Sequence, residues 1–174
     1  MKRVLFVLGH LSDNDIEWMI ENGAKHYLSK GDYLVQQGEP VEDIYIVLSG
    51  SLNIFSEDSP NVNIATIGSG EIIGEMSFLD ERPPSVSVMA TEEVSVYRIS
   101  LERVKQYMEV NTRFAARFYY SIALFLSDRL RKTTSRLGYG SVEDDIDEIN
   151  LNVLSQVGQA GTRFNRLLNK FAES

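Results

Sequence analysis

The stretch that decides the fold of this chain is Gly74-Glu75-Met76-Ser77-Phe78-Leu79-Asp80-Glu81-Arg82-Pro83-Pro84-Ser85-Val86-Ser87-Val88-Met89-Ala90-Thr91. A Gly-Glu pair opens the stretch, a turn with two prolines follows, and an alternating Ser/Val strand closes it. This order predicts a short helical turn that is connected by a tight loop to a strand, with the first and last parts close together in space.

The residue types in this stretch predict a ligand with an anionic group next to a hydroxyl group. A helical turn after the glycine would expose the backbone N–H groups of Met76 and Ser77, which is a common way to bind an anion. Glu75 repels an anion but accepts hydrogen bonds from a hydroxyl group. Ser85 and Ser87 add hydroxyl donors on the strand that returns to the turn.

The sequence around this stretch predicts a mainly β fold of the α+β class. Apolar residues alternate with polar ones in short runs, which is the period of a half-buried strand. Glycine turns separate the runs, as in a sandwich or jelly-roll. We therefore predict a jelly-roll β-barrel (a double-stranded β-helix) over about residues 27–99. Its runs are Tyr33–Val35, Ile44–Leu48, Leu52–Phe55, Val62–Ile67, Val86–Val88 and Val94–Ile99.

Helices are predicted on both sides of the barrel. Ser12 is placed to cap an N-terminal helix that ends near Gly23, and Asp15 is an imperfect capping-box partner. Further helices are predicted over residues 101–137. Their apolar stripe is compatible with a cover for the barrel or with a dimer seam; it contains Phe114, Phe118, Ile122, Phe125, Leu126 and Leu130.

The C-terminal part predicts an oligomerisation element. A domain over 1–137 is followed by a Gly-Tyr-Gly hinge at 138–140 and an amphipathic helix over 141–174. Its apolar stripe lasts more than three heptads, which favours a partner helix from a second copy of the chain. The members of this stripe are Ile146, Ile149, Val153, Val157, Ala160, Phe164, Leu167, Leu168 and Phe171.

Composition excludes several classes of function. The 174 residues carry a formal net charge of −8, which opposes nonspecific contact with nucleic acid or anionic membrane. There is no cysteine, so disulfides, thiolate metal sites and cysteine nucleophiles are excluded, and a cytoplasmic location is expected. The two histidines, His10 and His26, are predicted to lie beside a helix cap and at a helix end. Since no nucleophile–base pair is visible, we expect neither catalysis nor a metal or cofactor.

The chain resembles the cyclic nucleotide-binding domain family from about residue 5 to about residue 137. The resemblance includes the glycine framework Gly31-Asp32, Gln37-Gly38-Glu39, Asp43-Ile44-Tyr45-Ile46-Val47 and Ser49-Gly50. It also includes the phosphate-binding cassette, whose spacing from Gly74-Glu75 to Ser85-Val86-Ser87-Val88 matches without gaps. The family includes kinase regulatory subunits, gated channels and catabolite-activator transcription factors.

The resemblance implies cyclic AMP or cyclic GMP as the ligand. Glu75 looks like the acceptor for the ribose 2′-hydroxyl, the N–H groups of Met76 and Ser77 would face the cyclic phosphate, and Ser85 would add a contact. The segment with Arg129 and Leu130 falls where the long helix of the family covers the purine. The expected ligand site is completed by Gly74 and Ser87, together with Arg82, Pro84 and Val86.

The cassette departs from the family pattern at two positions and is degenerate in that sense. Pro84 stands where the family has an arginine that clamps the phosphate, and Val86 stands where the family has a small alanine. Proline carries no charge and no N–H, so weaker or altered binding is expected. Arg82 is either a substitute that reaches inward or an exposed turn residue.

Four hypotheses of function follow. The first is a regulatory cyclic-nucleotide sensor without an attached output domain, which signals through helix repositioning to a separate effector protein. The second is a degenerate domain that acts as a dimerisation or protein-interaction scaffold. A catabolite-activator-type transcription factor is disfavoured, because the residues after Leu137 read as one acidic-starting helix rather than a helix-turn-helix. An enzyme is disfavoured for the reasons above.

Overall fold

The computed structural model of the protein describes residues 8–136, 158, 161–166 and 169. Its elements, in chain order, are α1 (Asp13–Asn22), β1 (Ala24–Leu28), β2 (Tyr33–Val35), β3 (Asp43–Ser49), β4 (Ser51–Ser56), β5 (Ser59–Gly68), β6 (Ile72–Ile73), α2 (Glu75–Asp80), β7 (Ser87–Ala90), β8 (Val94–Ser100), α3 (Leu101–Val110) and α4 (Thr112–Arg136). The predicted mainly β fold with flanking helices is confirmed. The predicted hinge at 138–140 and the beginning of the 141–174 helix lie outside the described residues.

Two four-stranded antiparallel sheets form the barrel. Their strand orders are β1-β8-β3-β6 and β2-β7-β4-β5. In the first sheet, Val47 pairs with Val96 and Ile46 pairs with Tyr97. Because neighbouring side chains of a strand point to opposite faces, the two valines pack towards the second sheet while Ile46 and Tyr97 pack towards the helices. The first sheet is therefore buried on both faces, which leaves the helical layer firmly attached to the barrel.

Helix α1 begins with a complete capping box. The backbone N–H of Asp15 donates to the Ser12 hydroxyl (3.3 Å) and the N–H of Ser12 donates to the Asp15 carboxylate (2.7 Å). The helix ends at Asn22, and the N–H of Gly23 donates to the Met19 carbonyl (2.9 Å). Both predicted ends are confirmed.

Helix α4 covers the barrel and packs against α1. Phe114, Phe118, Ile122 and Phe125 are at most 2% exposed. These four residues form part of the interior of one chain, so the predicted alternative of a dimer seam is wrong at these positions. A dimer seam requires a different face of α4.

An ion pair joins α1 to α4 across 102 residues of sequence. Arg117 donates through Nε and Nη2 to the two carboxylate oxygens of Asp15, at 2.8 and 2.9 Å. Asp15 is only 1% exposed. Burial disfavours the ionised carboxylate, but hydrogen bonds from Arg117 and Ser12 outweigh it, so that the pKa of Asp15 lies below its ordinary value. This pair links α4 to the beginning of α1.

The described part of the C-terminal segment packs against its own chain. Phe164 is 4% exposed and belongs to the same apolar cluster as Leu8 and Ile16. Arg163 donates to Asp13 at 3.0 Å and to the backbone carbonyl of Leu8 at 2.8 Å. At Phe164 the predicted contact with a helix of a second copy is replaced by packing into the apolar cluster of its own chain. The remaining members of the predicted stripe lie outside the described residues.

His26 also differs from its prediction. It lies in β1, not at the end of a helix, because the chain turns at Gly23 directly into the first strand. No helix among the described residues has the length and apolar character that crossing a bilayer requires.

Candidate functional site

A cavity of about 290 Å³ lies at the end of the barrel where α2 and the 82–86 turn meet α4. Its floor is apolar and comes from both sheets. Every residue that the sequence predicts for the ligand site, except Ser87, lines this cavity. They are Gly74, Glu75, Met76, Ser77, Arg82, Pro84, Ser85 and Val86. The structure therefore brings together the predicted set at one place, and it adds Arg129 from α4.

Gly74 permits the tight start of α2. Its φ of 93° lies in the left-handed region, and a Cβ there would come within 2.6 Å of the Asp43 carbonyl oxygen. Helix α2 begins at the next residue, and its first intrahelical bond runs from the N–H of Phe78 to the Gly74 carbonyl (3.0 Å). The N–H groups of Met76 and Ser77 precede this bond, so helix geometry supplies no acceptor for them. Both residues line the cavity.

Glu75 places a buried carboxylate in the cavity wall. The residue is 3% exposed, and its Oε1 accepts a hydrogen bond from Nη1 of Arg129 at 2.5 Å. Arg129 lies 54 residues further along the chain, and its guanidinium also lies 5.9 Å from the ring centroid of Phe125. This ion pair explains how a carboxylate remains in an apolar cavity, since buried charges require a partner.

The Glu75–Arg129 pair was not anticipated from the sequence, although a signal for it exists. Arg129 continues the buried stripe of α4, four residues after Phe125 and seven after Ile122. A cation on the buried face of a helix implies a carboxylate on the surface against which the helix packs. Only the packing of α4 identifies that carboxylate as Glu75.

The 82–85 turn presents no cation towards the interior. The side chain of Arg82 is 83% exposed, and its Nε lies 4.0 Å from the Asp80 carboxylate. Arg82 is therefore an exposed residue at the cavity mouth, which decides between the two interpretations of its role. The carbonyl of Pro84 accepts a hydrogen bond from the N–H of Gly38 (2.9 Å), so Pro84 holds the turn against the Gly38 loop.

Ser87 lies away from the cavity. The residue is fully buried, its hydroxyl donates to Glu57 at 2.6 Å, and it accepts from the N–H of Gln37 at 2.9 Å. Both bonds stabilise the loop between β2 and β3 and the turn between β4 and β5. Ser85, in contrast, is exposed at the cavity rim. Ser85 lies in the turn before β7, whereas Ser87 is the first residue of that strand, so the two serines have different surroundings although the cassette pattern suggested a shared site.

The charges of the cavity are nearly balanced, with a small acidic excess. Its carboxylates are Glu71, Glu75 and Asp80, and its cations are Arg82 and Arg129. No histidine lines the cavity. His10 instead contacts Tyr120 edge to face at 5.1 Å, and burial lowers its pKa. In the described part of the chain, no three His, Asp or Glu side chains lie close enough together to hold a metal ion.

Comparison with known proteins agrees with this geometry. The sequence profile described as "Cyclic nucleotide-binding domain" matches residues 25–111, which include β1 without its first residue, β2 to β8, α2 and α3. The chain belongs to the cyclic nucleotide-binding domain family. Among curated proteins, it is 33% identical over 136 residues to the CRP-like protein Clp of Xanthomonas campestris pv. campestris, covering 74% of this chain. The chain spans only 59% of the length of that relative.

Solved structures of the cyclic nucleotide-binding domain family show the same fold. A cyclic nucleotide-binding domain from Methylobacillus flagellatus aligns with a TM-score of 0.68 at 21% identity, covering 82% of this chain and 86% of that one. The catabolite activator protein of Thermus thermophilus aligns with a TM-score of 0.62 at 21% identity, covering 94% of this chain and 84% of that one. At this level of identity the likeness supports the fold alone.

Proposed function

We propose that this chain is a regulatory module that binds a cyclic nucleotide, cyclic AMP or cyclic GMP, in the cavity formed by α2, the 82–86 turn and α4. The observation that carries the proposal is the buried carboxylate of Glu75 beside the first-turn N–H groups of α2. This arrangement suits a ligand with a ribose hydroxyl and an anionic oxygen close together. An apolar floor and a volume of about 290 Å³ suit a base and a sugar.

The site also suggests how binding would be communicated. Glu75 on the barrel and Arg129 on α4 are in contact. A ligand hydroxyl that reaches Glu75 therefore changes the environment of a side chain on α4. The proposed output is a repositioning of this helix towards a separate effector protein, and no catalytic step is part of the proposal.

Isothermal titration calorimetry with cyclic AMP and cyclic GMP tests the function. We expect saturable binding of at least one nucleotide and a rise in melting temperature with ligand concentration. The matched variant is Glu75→Gln, which keeps the shape of the side chain but removes the charge that pairs with Arg129. Absence of both heat and thermal stabilisation at millimolar concentrations of both nucleotides would contradict the proposal.

A scaffold function is the second candidate, and an exposed stripe on α4 favours it. Tyr119 is 50% exposed and Leu130 is 67% exposed, although both are large apolar residues. With Ala116, Ala123 and the half-buried Leu126 they follow steps of three and four residues, which is the spacing of a coiled-coil seam. We propose that this face of α4 pairs with the same face of a second copy. Such a dimer neither requires nor prevents nucleotide binding in the cavity.

Light scattering on the full chain tests the dimer. We expect Leu130→Glu to shift the population towards monomer, because it places two like charges in the seam. Val110→Glu is the matched control, since Val110 is 83% exposed at the end of α3, off the stripe. A monomeric wild-type protein at high concentration, or equal effects of the two variants, would contradict the proposed seam.

A further inference from the structure

The cassette provides no cation that faces the cavity and could bind a phosphate. Pro84 has no charge, and Arg82 extends into solvent with 83% of its side chain exposed. The first turn of α2 therefore provides backbone N–H donors, but neither α2 nor the 82–86 turn provides an inward-facing cation. An anion in this cavity would also lie near the carboxylates of Glu71 and Glu75, which raises its need for a cation.

Arg129 meets this need from the opposite wall. Its side chain is 35% exposed, and it lines the cavity. A guanidinium has five N–H donors in a planar fork, and Glu75 accepts from Nη1. Nε and Nη2 of Arg129 donate no hydrogen bond to any residue that the structure describes. The fork is thus held in place by one carboxylate while donors remain for a second acceptor.

We infer that Arg129 binds the anionic group of the ligand, so that the phosphate is held by α4 and not by the 82–86 turn of the cassette. The inference rests on the proposed function and specifies the residue that reads the charge. Because Glu75 and Arg129 are in direct contact, the ligand must present a hydroxyl and an anionic oxygen side by side. A ribose 3′,5′-cyclic monophosphate with a free 2′-hydroxyl has this chemistry.

The location of Arg129 has a consequence for the coupling of ligand to helix. A phosphate clamp on the barrel binds the anion without involving α4. A clamp on α4 makes the strength of anion binding depend directly on whether that helix is docked. Charge on the ligand, more than its base, would then determine how firmly α4 is held.

The test compares a charged probe with its uncharged counterpart. Cyclic AMP and adenosine share the base and the 2′-hydroxyl, but only cyclic AMP carries the phosphate. Dissociation constants for both are measured by calorimetry on the full chain, for the wild type, Arg129→Gln, Arg129→Lys, Arg82→Gln and Arg131→Gln. Arg131 is the matched control because it is exposed on α4, two residues from Arg129. Circular dichroism and melting temperatures show which variants are folded.

We expect the wild type to prefer cyclic AMP over adenosine. Arg129→Gln should weaken cyclic AMP binding about ten- to hundredfold, the loss of one charge-assisted hydrogen bond, while adenosine binding changes much less. Arg129→Lys keeps the charge and loses the fork, so an intermediate loss is expected. This variant also serves if Arg129→Gln fails to fold because Glu75 is left buried without its partner.

Each of the following outcomes would contradict the inference. If Arg82→Gln weakens the binding of cyclic AMP selectively and Arg129→Gln does not, the phosphate is bound by the 82–86 turn. Equal affinity of the wild type for cyclic AMP and adenosine shows that the cavity does not read the charge. If the wild type binds cyclic nucleotide and both Arg129 variants bind it unchanged, the clamp fails while the proposed function survives. If the wild type binds none of cyclic AMP, cyclic GMP and adenosine, both the inference about Arg129 and the proposed function are wrong.

Discussion

Replacement of Arg117 by methionine tests whether the ion pair between α1 and α4 stabilises the fold. The substitution leaves the Asp15 carboxylate, which is 1% exposed, without the two donors at 2.8 and 2.9 Å. Breaking a buried pair by removal of one partner costs about 3–5 kcal/mol. The side chain of Arg117 is 33% exposed, so water partly replaces it, and we take about 3 kcal/mol.

This cost should depend on pH. The pKa of Asp15 is lowered in the folded wild type, so its contribution to stability is present above the unfolded pKa of about 3.9 and is lost as the pH falls through the lower folded pKa. In Arg117→Met, burial without the arginine favours the protonated acid. The difference in unfolding free energy between the two proteins should therefore be largest near neutral pH and shrink in acid.

Urea unfolding followed by circular dichroism measures both effects. A loss of about 3 kcal/mol corresponds to roughly 6–12 °C in melting temperature for a chain of this size. Arg113→Met is the matched control, because Arg113 is exposed one turn earlier on α4, and it should change stability by less than about 0.5 kcal/mol. Equal effects of the two variants, or a difference that is constant from pH 7 to pH 3, would refute the reasoning.

Three further predictions concern the C-terminal segment, the α2 turn and the ligand hydroxyl. Phe164→Ala should lower the free energy of unfolding by about 3–5 kcal/mol, because Phe164 is 4% exposed in the main apolar cluster. If urea unfolding shows no greater loss for Phe164→Ala than for Val110→Ala, the contact of Phe164 with this cluster is not maintained in solution. Gly74→Ala should reduce both stability and cyclic AMP affinity, because the new Cβ would approach the Asp43 carbonyl to 2.6 Å at a φ of 93°; an unchanged melting temperature and unchanged calorimetric affinity would contradict the geometry. Finally, 2′-deoxy cyclic AMP should bind about tenfold more weakly than cyclic AMP to the wild type, since it leaves Glu75 without a hydroxyl donor; the two should bind alike if Glu75 does not contact the sugar.

Local features of the fold were predictable because they depend on residues that are close in sequence. The Ser12–Asp15 capping box spans three positions, and the alternation in β3 and β8 marks both as strands. All but one of the site residues predicted from the cassette line the cavity for the same reason. Its glycine, its short helix and its turn follow each other without a gap, so their relative placement needs no information from elsewhere in the chain.

The direction of single side chains was less predictable. Ser85 and Ser87 have the same residue type two positions apart, yet one borders the cavity and the other is bonded to Glu57. The exact start of β7 decides between them, and that start depends on the pairing of β7 with β2 and β4.

The amino-acid sequence by itself determined the barrel, the ends of α1 and the place of the cavity, because each depends on a local pattern of hydrophobicity, capping or backbone freedom. Only the tertiary structure decided which charges meet. Glu75 and Arg129 are 54 residues apart, Asp15 and Arg117 are 102 apart, and Asp13 and Arg163 are 150 apart. No periodicity relates such positions. They become neighbours because the apolar face of α4 and the side chain of Phe164 bury themselves against the barrel and α1, and the charges beside those apolar contacts must then find partners.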